Sequence, residues 1–433
     1  MSDHPALCWT AEDAPETVRA QVKLSLLDTL GVAIAGRQTK AAHIMCDHAA
    51  TSHSGTIPML FDGRGTSAPG YSLAAGTTID SLDAHDGFNL AKGHIAAPMM
   101  PVAFATAYQE GSTGEALLQA LVLGYEFGAR AAMAQHATAP DYHTSGSWGA
   151  VAGARVAGLL AGLTPEETRH AVGIAEFYGP RSQMMRLIDH PSMLKDGAGW
   201  GATAGASAVD LARAGFSGAP ALIVEQTPDH RADLGERWFA LEQYYKPYPV
   251  CRWAQPPIEG VLAHRRAHGL TSDQVERIEV TTFHESIRLA TSAPQATDEA
   301  QYSTSFPCAV ALVRGDVTPA DIADEALFDP EILRLSNAMV LHESDHANAA
   351  FPLRRYAKVD LVLRDGRVLK GDYMEPRWDP TAPPTSGELR EKFYKYAVPV
   401  VGAERTAAIE AAVDGLENGG LGAFFDLITT PID

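Results

Sequence analysis

Apolar residues recur with a helical period through most of the chain. After Pro15, Val18, Val22, Leu26 and Leu30 fall on one face, which predicts an amphipathic first helix with the proline near its start. Residues 31–36 are small enough for close packing, and 41–50 predict a second helix. The alternating piece 56–63 predicts a strand or extended segment ending in a turn. Residues 70–79 and 95–107 are small and apolar on every side, as buried helices are. Ser112 followed by Glu115 has capping-box spacing, and Thr164-Pro165-Glu166-Glu167 repeats that start signal. Residues 150–162 and the stretch after Gly197 are rich in Ala and Gly, so these helices are expected to pack backbone to backbone.

The period breaks over 244–253, where two prolines and no helical spacing read as a crossover. A helix over 255–268 follows, then an alternating strand over 275–283. Helices over 299–314 and 319–324 precede a hairpin over 360–371, turned by Asp365-Gly366. Residues 376–384 are proline-rich and read as a linker, and 386–397 and 403–417 are helical again. The pattern therefore predicts a mainly α protein. A large helical domain is built from both chain ends (1–245 and 384–433), with a smaller α+β lid over 246–383. There is no repeat, no low-complexity tract, and no glycine-rich dinucleotide or P-loop motif after a strand.

A length of 433 residues supports this two-domain division. The net charge of −19 opposes non-specific binding to nucleic acid or to anionic membrane. It leaves anionic substrates open, because a local basic pocket fits within a negative surface. Cys8, Cys46, Cys251 and Cys308 form no CxxC pair, which favours a reducing compartment. The N-terminus lacks a basic segment followed by an apolar run, and no stretch is clean enough to span a bilayer, so a cytoplasmic protein is expected.

The densest chemistry lies in residues 80–94, where Asp80, Asp83, His85, Asp86, Lys92 and His94 sit between the two buried helices. Groups at the mouth of a core shift one another's pKa values, which favours an active site. The alternatives are a plain connection with an aspartate as helix cap, or a metal site of His85, Asp86 and His94, for which no HxxxH or HExxH spacing exists. Tyr142-His143 precedes Thr144, Ser145 and Ser147 at a glycine-rich helix start, suited either to capping or to receiving a ligand carboxylate. Lys195 before another small-residue helix must snorkel, pair or be used. Lys246 and Arg252 in the crossover either anchor a substrate carboxylate or pair with acids across the domain interface.

Several of these segments together resemble the MmgE/PrpD family. They are 27–36, the acidic loop with His94, Tyr142-His143, Lys195, Tyr245-Lys246-Pro-Tyr-Pro-Val-Cys251-Arg252, and 300–306. The resemblance covers nearly the whole chain. It implies the two-domain architecture above, a homodimer, no metal or organic cofactor, and a site between the domains. That site implies Asp83, His94, His143, Lys195 and Lys246 as catalytic residues acting on a small di- or tricarboxylate. Substrate contacts are expected from His85, Asp86, Lys92, Tyr142, Ser145, Cys251, Arg252 and Phe306. The sequence departs from the family pattern at His85, which replaces a carboxylate, and at Gly87, which replaces a hydroxyl. Cys251 and Phe306 stand where some members have histidine and tyrosine. The expected reaction is proton removal beside a carboxylate followed by loss of water. Epimerisation, decarboxylation and a scaffold that has lost its chemistry are the alternatives.

Overall fold

The computed structural model describes residues 4–432. A one-turn helix, Pro5–Cys8, precedes the first long one, Glu16–Gly36, which buries Val18, Val22, Leu26 and Leu30 as its spacing predicts. The C-terminal helix Ser386–Asp414 packs along it, so the chain's end returns to the domain its start built. That helix is bent at Gly402, whose φ of 77° places it in the left-handed region that glycine tolerates.

Helices Ala68–Asp80, Ala96–Glu110, Gly146–Leu160 and Ala198–Arg213 form the centre of this domain. Their glycines set the spacing: a Cβ on Gly76 would lie 2.8 Å from the Gly199 Cα, and one on Gly201 would lie 2.3 Å from the Gly146 carbonyl oxygen. Side chains at these contacts would push apart the helix starts that carry the acidic loop, Ser145 and Asp196.

Helix ends follow local chemistry, with corrections. The box at Thr164 and Glu167 forms as expected, with Pro165 at the first helical position. The expected box at Ser112 and Glu115 does not form. Thr113 is the cap, accepting from the Ala116 amide, while Glu115 pairs with Arg19.

The extended piece near 56 is a two-residue strand, β1 (Ile57–Pro58), paired antiparallel with β2 (Gly65–Thr66). The lid holds β3 (Val275–Thr282), β4 (Val340–Glu343), β5 (Ala357–Leu363), β6 (Val368–Leu369) and β7 (Tyr373–Met374). β3 is central, parallel to β4 and antiparallel to β5, and β5 also pairs with β6 and β7. Helix Gln255–His268 packs on β5 and on the helix Ser305–Arg314.

The single helix expected over 299–314 is two, Thr297–Gln301 and Ser305–Arg314. Between them the Ser303 hydroxyl accepts from the Phe306 amide, and the Thr304 amide donates to the Leu289 carbonyl instead of continuing the helix. The expected helix over 319–324 shrinks to one 3₁₀ turn, Pro319–Ile322. The proline-rich linker is tied down: the Tyr245 amide donates to the Trp378 carbonyl, and Asp379 pairs with Arg252. Among the described residues, no helix is long and apolar enough to cross a membrane.

Candidate active site

Most of the acidic loop is buried, with Asn89, Leu90 and Lys92 half-buried. Asp80, Asp83, His85, Asp86 and His94 are all buried, and residues from several other segments converge on them. Lys246 is wholly inaccessible and sits on the Asp83 carboxylate, also donating to the Asp83 carbonyl at 3.2 Å. The Asp83 amide donates to Gln301 Oε1 at 2.8 Å, and the same oxygen receives Lys195 Nζ. Gln301 Nε2 is spent on the Ser81 carbonyl and Thr297 Oγ1, which fixes the amide's orientation. Burial alone would raise the Asp83 carboxyl, but Lys246, His94 and Lys195 hold it well below the usual carboxylate range.

His94 is oriented on both sides. Nδ1 lies 2.5 Å from the Asp86 carbonyl oxygen, which can only accept, so the Nδ1 proton is fixed there. Nε2 then carries the lone pair, 3.2 Å from Asp196 Oδ2 and 3.7 Å from Asp83 Oδ1. Burial, with Lys246 and His85 close by, pushes the imidazole pKa well down, so the ring is neutral. Its backbone is clamped too: the His94 amide donates to Ser145 Oγ at 2.9 Å, and Trp148 Nε1 donates to its carbonyl at 3.1 Å. Ser145 Oγ in turn donates to Asp196 Oδ2 at 3.0 Å. Burial, with Asp80 and Asp83 near, pushes Asp196 up to about 8.

Behind this layer Asp86 accepts from Tyr125 Oη at 2.5 Å, and burial raises its carboxyl to about 7. His85 packs edge-on to His94 at 4.2 Å and lies 3.4 Å from Asp80. Burial and Lys246 lower its pKa to about 3. Lys392, from the C-terminal helix, donates to the Ala84 carbonyl and pairs with Asp28 at 2.7 Å, pinning the loop to both chain ends.

Asp83, Lys92, His94, Tyr142, Asp196, Tyr244, Cys251, Arg252, Tyr302 and Arg355 wall a cavity of about 20 Å³ together with Met184 and Trp253. That is room for about one water. Lys92 lies over the Tyr142 ring at 4.5 Å, and its backbone φ of 52° is a strained left-handed one. Arg355 donates to neutral acceptors, Asn89 Oδ1 and the Pro352 carbonyl. Among the described residues neither Lys92 nor Arg355 forms an ion pair, which leaves two cations to hold an anion. Cys251 is a buried thiol whose pKa is pushed up to about 12. A larger cavity of about 670 Å³ lies between Ala35, Leu82, Thr297, Tyr396 and Val400. Its charged wall residues are all at least partly exposed, unlike the buried carboxylates and imidazole of the small one.

Several expectations need correction. His143 is not in the cavity wall. It sits in an extended segment bridged to Gln183, where successive side chains alternate. Tyr142 therefore points inward, and His143 lies beside Arg181. Lys246 is paired with Asp83 and is not among the residues that wall the cavity. Lys195 is likewise behind the wall, on Gln301 and over the Tyr302 ring. Arg252 lines the cavity but is paired with Asp379 at 3.1 Å. Phe306 is buried in the lid core, and Tyr302 supplies the aromatic wall. Ser145 makes no cap; it joins His94 to Asp196. Asp83, His85 and His94 place ligand-type atoms within 4.8 Å of one another, but the Lys246 ammonium on Asp83 would repel a metal cation there.

Sequence reasoning missed Asp196, Gln301 and Arg355. For Asp196 the available signal was its position beside Lys195 and before Gly197, which opens the helix with a φ of 65°. Gln301 lies in the segment 300–306 that carries the family resemblance, and for Arg355 no local signal exists.

Residues 7–228 match the family model of the MmgE/PrpD N-terminal domain, and residues 248–418 that of the MmgE/PrpD C-terminal domain. The chain is 24% identical to the cis-aconitate decarboxylase-like protein oryM of Aspergillus oryzae, over 95% of this chain and 94% of that one. It is 21% identical to cis-aconitate decarboxylase of Aspergillus terreus, over 99% and 95%. A mitochondrial 2-methylcitrate dehydratase of Yarrowia lipolytica is 27% identical over 49% of this chain and 45% of its own.

Proposed function

Because the chain belongs to the MmgE/PrpD family, we propose that it is a lyase acting on a small polycarboxylate, removing a proton beside a carboxylate and expelling water. The observation that carries this reading is the neutral His94, its Nδ1 proton committed to the Asp86 carbonyl, in the wall of a cavity that Lys92, Arg252 and Arg355 also line. Lys92 and Arg355 hold the substrate carboxylates and receive the negative charge that grows on one of them as the proton leaves. His94 takes that proton, a contribution of roughly 10²–10⁴ in rate. Asp83 is a poor base because its carboxyl is held far down, and it serves instead to stabilise the imidazolium that forms 3.7 Å away. Lys246 and Lys195 keep Asp83 ionised and in place.

A second reading, decarboxylation, is favoured by the likeness along nearly the whole chain to two proteins named for cis-aconitate decarboxylase. It uses the same cations for the carbanion left when carbon dioxide departs. Incubation with citrate, 2-methylcitrate and cis-aconitate separates the readings. Elimination produces a new double bond that absorbs in the ultraviolet, and decarboxylation releases carbon dioxide. Deuterium uptake from heavy water without either product identifies epimerisation. Inactivity across the panel overturns the lyase reading.

The chemistry as written uses side chains alone. A homodimer is part of the proposal, joined through the face where Phe177, Tyr178 and Trp200 are more than half exposed. The four free thiols suit the reducing cytoplasm.

A further inference from the structure

We propose that Asp196 is the general acid of this site, holding a proton opposite His94 and delivering it to the departing group. The inference rests on the lyase reading and adds a residue and a proton path to it. The argument starts from the hydrogen bonds. His94 Nδ1 is committed as a donor to the Asp86 carbonyl, so Nε2 of the neutral ring can only accept. Asp196 Oδ2 lies 3.2 Å from Nε2, close enough that the carboxyl can donate there once it carries the proton, whereas an ionised carboxylate would set a negative charge against the ring's lone pair.

Ser145 Oγ already donates to Oδ2, while Oδ1 is buried with no protein partner. An ionised Asp196 would leave a charge there with one neutral donor, which is costly in a site closed to solvent. The titratable and charged groups acting on it are Asp80, Asp83, Lys246, Tyr142, Tyr302 and Cys251, besides His94. Lys246 is the one cation in that set, and Asp83 neutralises it. Burial and the two aspartates therefore prevail, and the carboxyl titrates near 8.

Both Asp196 and His94 wall the cavity, so a substrate meets an acid and a base that share one proton. In the elimination, His94 Nε2 takes the proton from the carbon beside the carboxylate. The C–H electrons form the new double bond, and the C–O bond breaks with its pair on oxygen. The Asp196 proton passes to that oxygen, and water departs. The enzyme is left with an imidazolium and a carboxylate 3.2 Å apart, and one transfer from Nε2 to Oδ2 restores the resting pair without a proton from solvent.

The test compares wild type with Asp196→Asn. Asparagine keeps the shape of the side chain and can turn its NH2 toward Nε2, giving up the acceptor that Ser145 had in the same oxygen, but it has no proton to give. Infrared spectra of the protein with labelled aspartate should contain, at pH 7, a protonated-carboxyl band that disappears in D196N. Turnover of the substrate found for the wild type should fall by roughly 10²–10⁴, while His94-driven deuterium exchange at the acidic carbon persists. D196N turning over like wild type overturns the proposal, and so does wild-type protein whose protonated-carboxyl bands all survive the substitution. If the wild type turns over no polycarboxylate, the lyase reading fails, while the infrared band still decides whether Asp196 holds the proton. Should the asparagine variant fail to fold, Asp196→Glu moves the band out of the aspartate-labelled set and answers the same question.

Discussion

Replacing Lys246 by methionine tests how the site is held together. The lysine is wholly buried, its ammonium lies on the Asp83 carboxylate, and it also donates to the Asp83 carbonyl. Methionine fills similar volume but leaves Asp83 as a buried carboxylate short of its main counter-charge. Removing one partner of such a pair costs about 3–5 kcal/mol, which corresponds to a drop in melting temperature on the order of 10 °C.

The pH dependence follows with its sign. In the wild type Asp83 titrates below its ordinary value, so its contribution to stability is fully present above about pH 4 and is lost only as pH falls through the lower folded value. In the variant burial dominates and the folded value rises above the ordinary one, so stability is lost as pH rises past about 4. The gap between wild type and variant should therefore widen from pH 4 to pH 7 in thermal melts. Adding Asp83→Asn removes the orphaned charge, and the double variant should recover most of the lost stability without recovering activity. A single variant that melts within a degree of wild type at pH 7 would show that Lys246 and Asp83 do not form the buried pair.

Arg355→Leu should lower kcat/KM by roughly ten- to a hundred-fold, mostly through KM, because a hydrogen bond to a charged group is worth about 1.5–3 kcal/mol; unchanged steady-state kinetics would remove it from the substrate's contacts. Stability should be nearly level between about pH 5 and 6.5 and fall from 6.5 to 8. Asp80, Asp86 and Asp196 titrate near 7, 7 and 8, above their ordinary value, so the folded state holds extra protons that it loses over this range. Below 6.5 the opposite effect of three imidazoles, His85 and His136 depressed to about 3 and 4 and His94 well below its ordinary value, offsets it; melting curves across pH decide. If the proposed homodimer forms through the exposed aromatic face, Trp200→Glu should lower the mass in light scattering to that of a monomer; an unchanged mass would overturn that contact.

The fold was legible where local chemistry and packing agree. The helix Gln255–His268 has prolines at its start and Gly269 at φ 59° after its end, so spacing and stop signals coincide. The helix expected over 299–314 failed because its interruption is not local. Ser303 donates to the Thr291 carbonyl and the Thr304 amide to the Leu289 carbonyl, and both partners belong to a segment that only the folded lid brings near. That interruption matters to the site, since it leaves Gln301 at the end of one short helix, free to hold Asp83 and Lys195 at once.

The acidic loop stood out because so many ionisable groups sit between two apolar helices, a conflict that a structural loop has no reason to carry. What each residue does there depends on partners far along the chain. Lys246 could anchor a substrate or neutralise an acid, and its own segment is compatible with both. The choice is made by Asp83, which lies 163 residues earlier. His143 went astray for a smaller reason: in an extended segment one position decides which side a side chain takes, and Tyr142 has the inward place. Asp196 reads locally as part of a Lys-Asp-Gly turn. Only the approach of Ser145 and His94, about fifty residues away along the chain in one case and about a hundred in the other, makes it a buried carboxyl facing a base. Residue types thus mark where chemistry is concentrated, and long-range pairing decides which of those groups carry charge, which carry a proton and which reach the substrate.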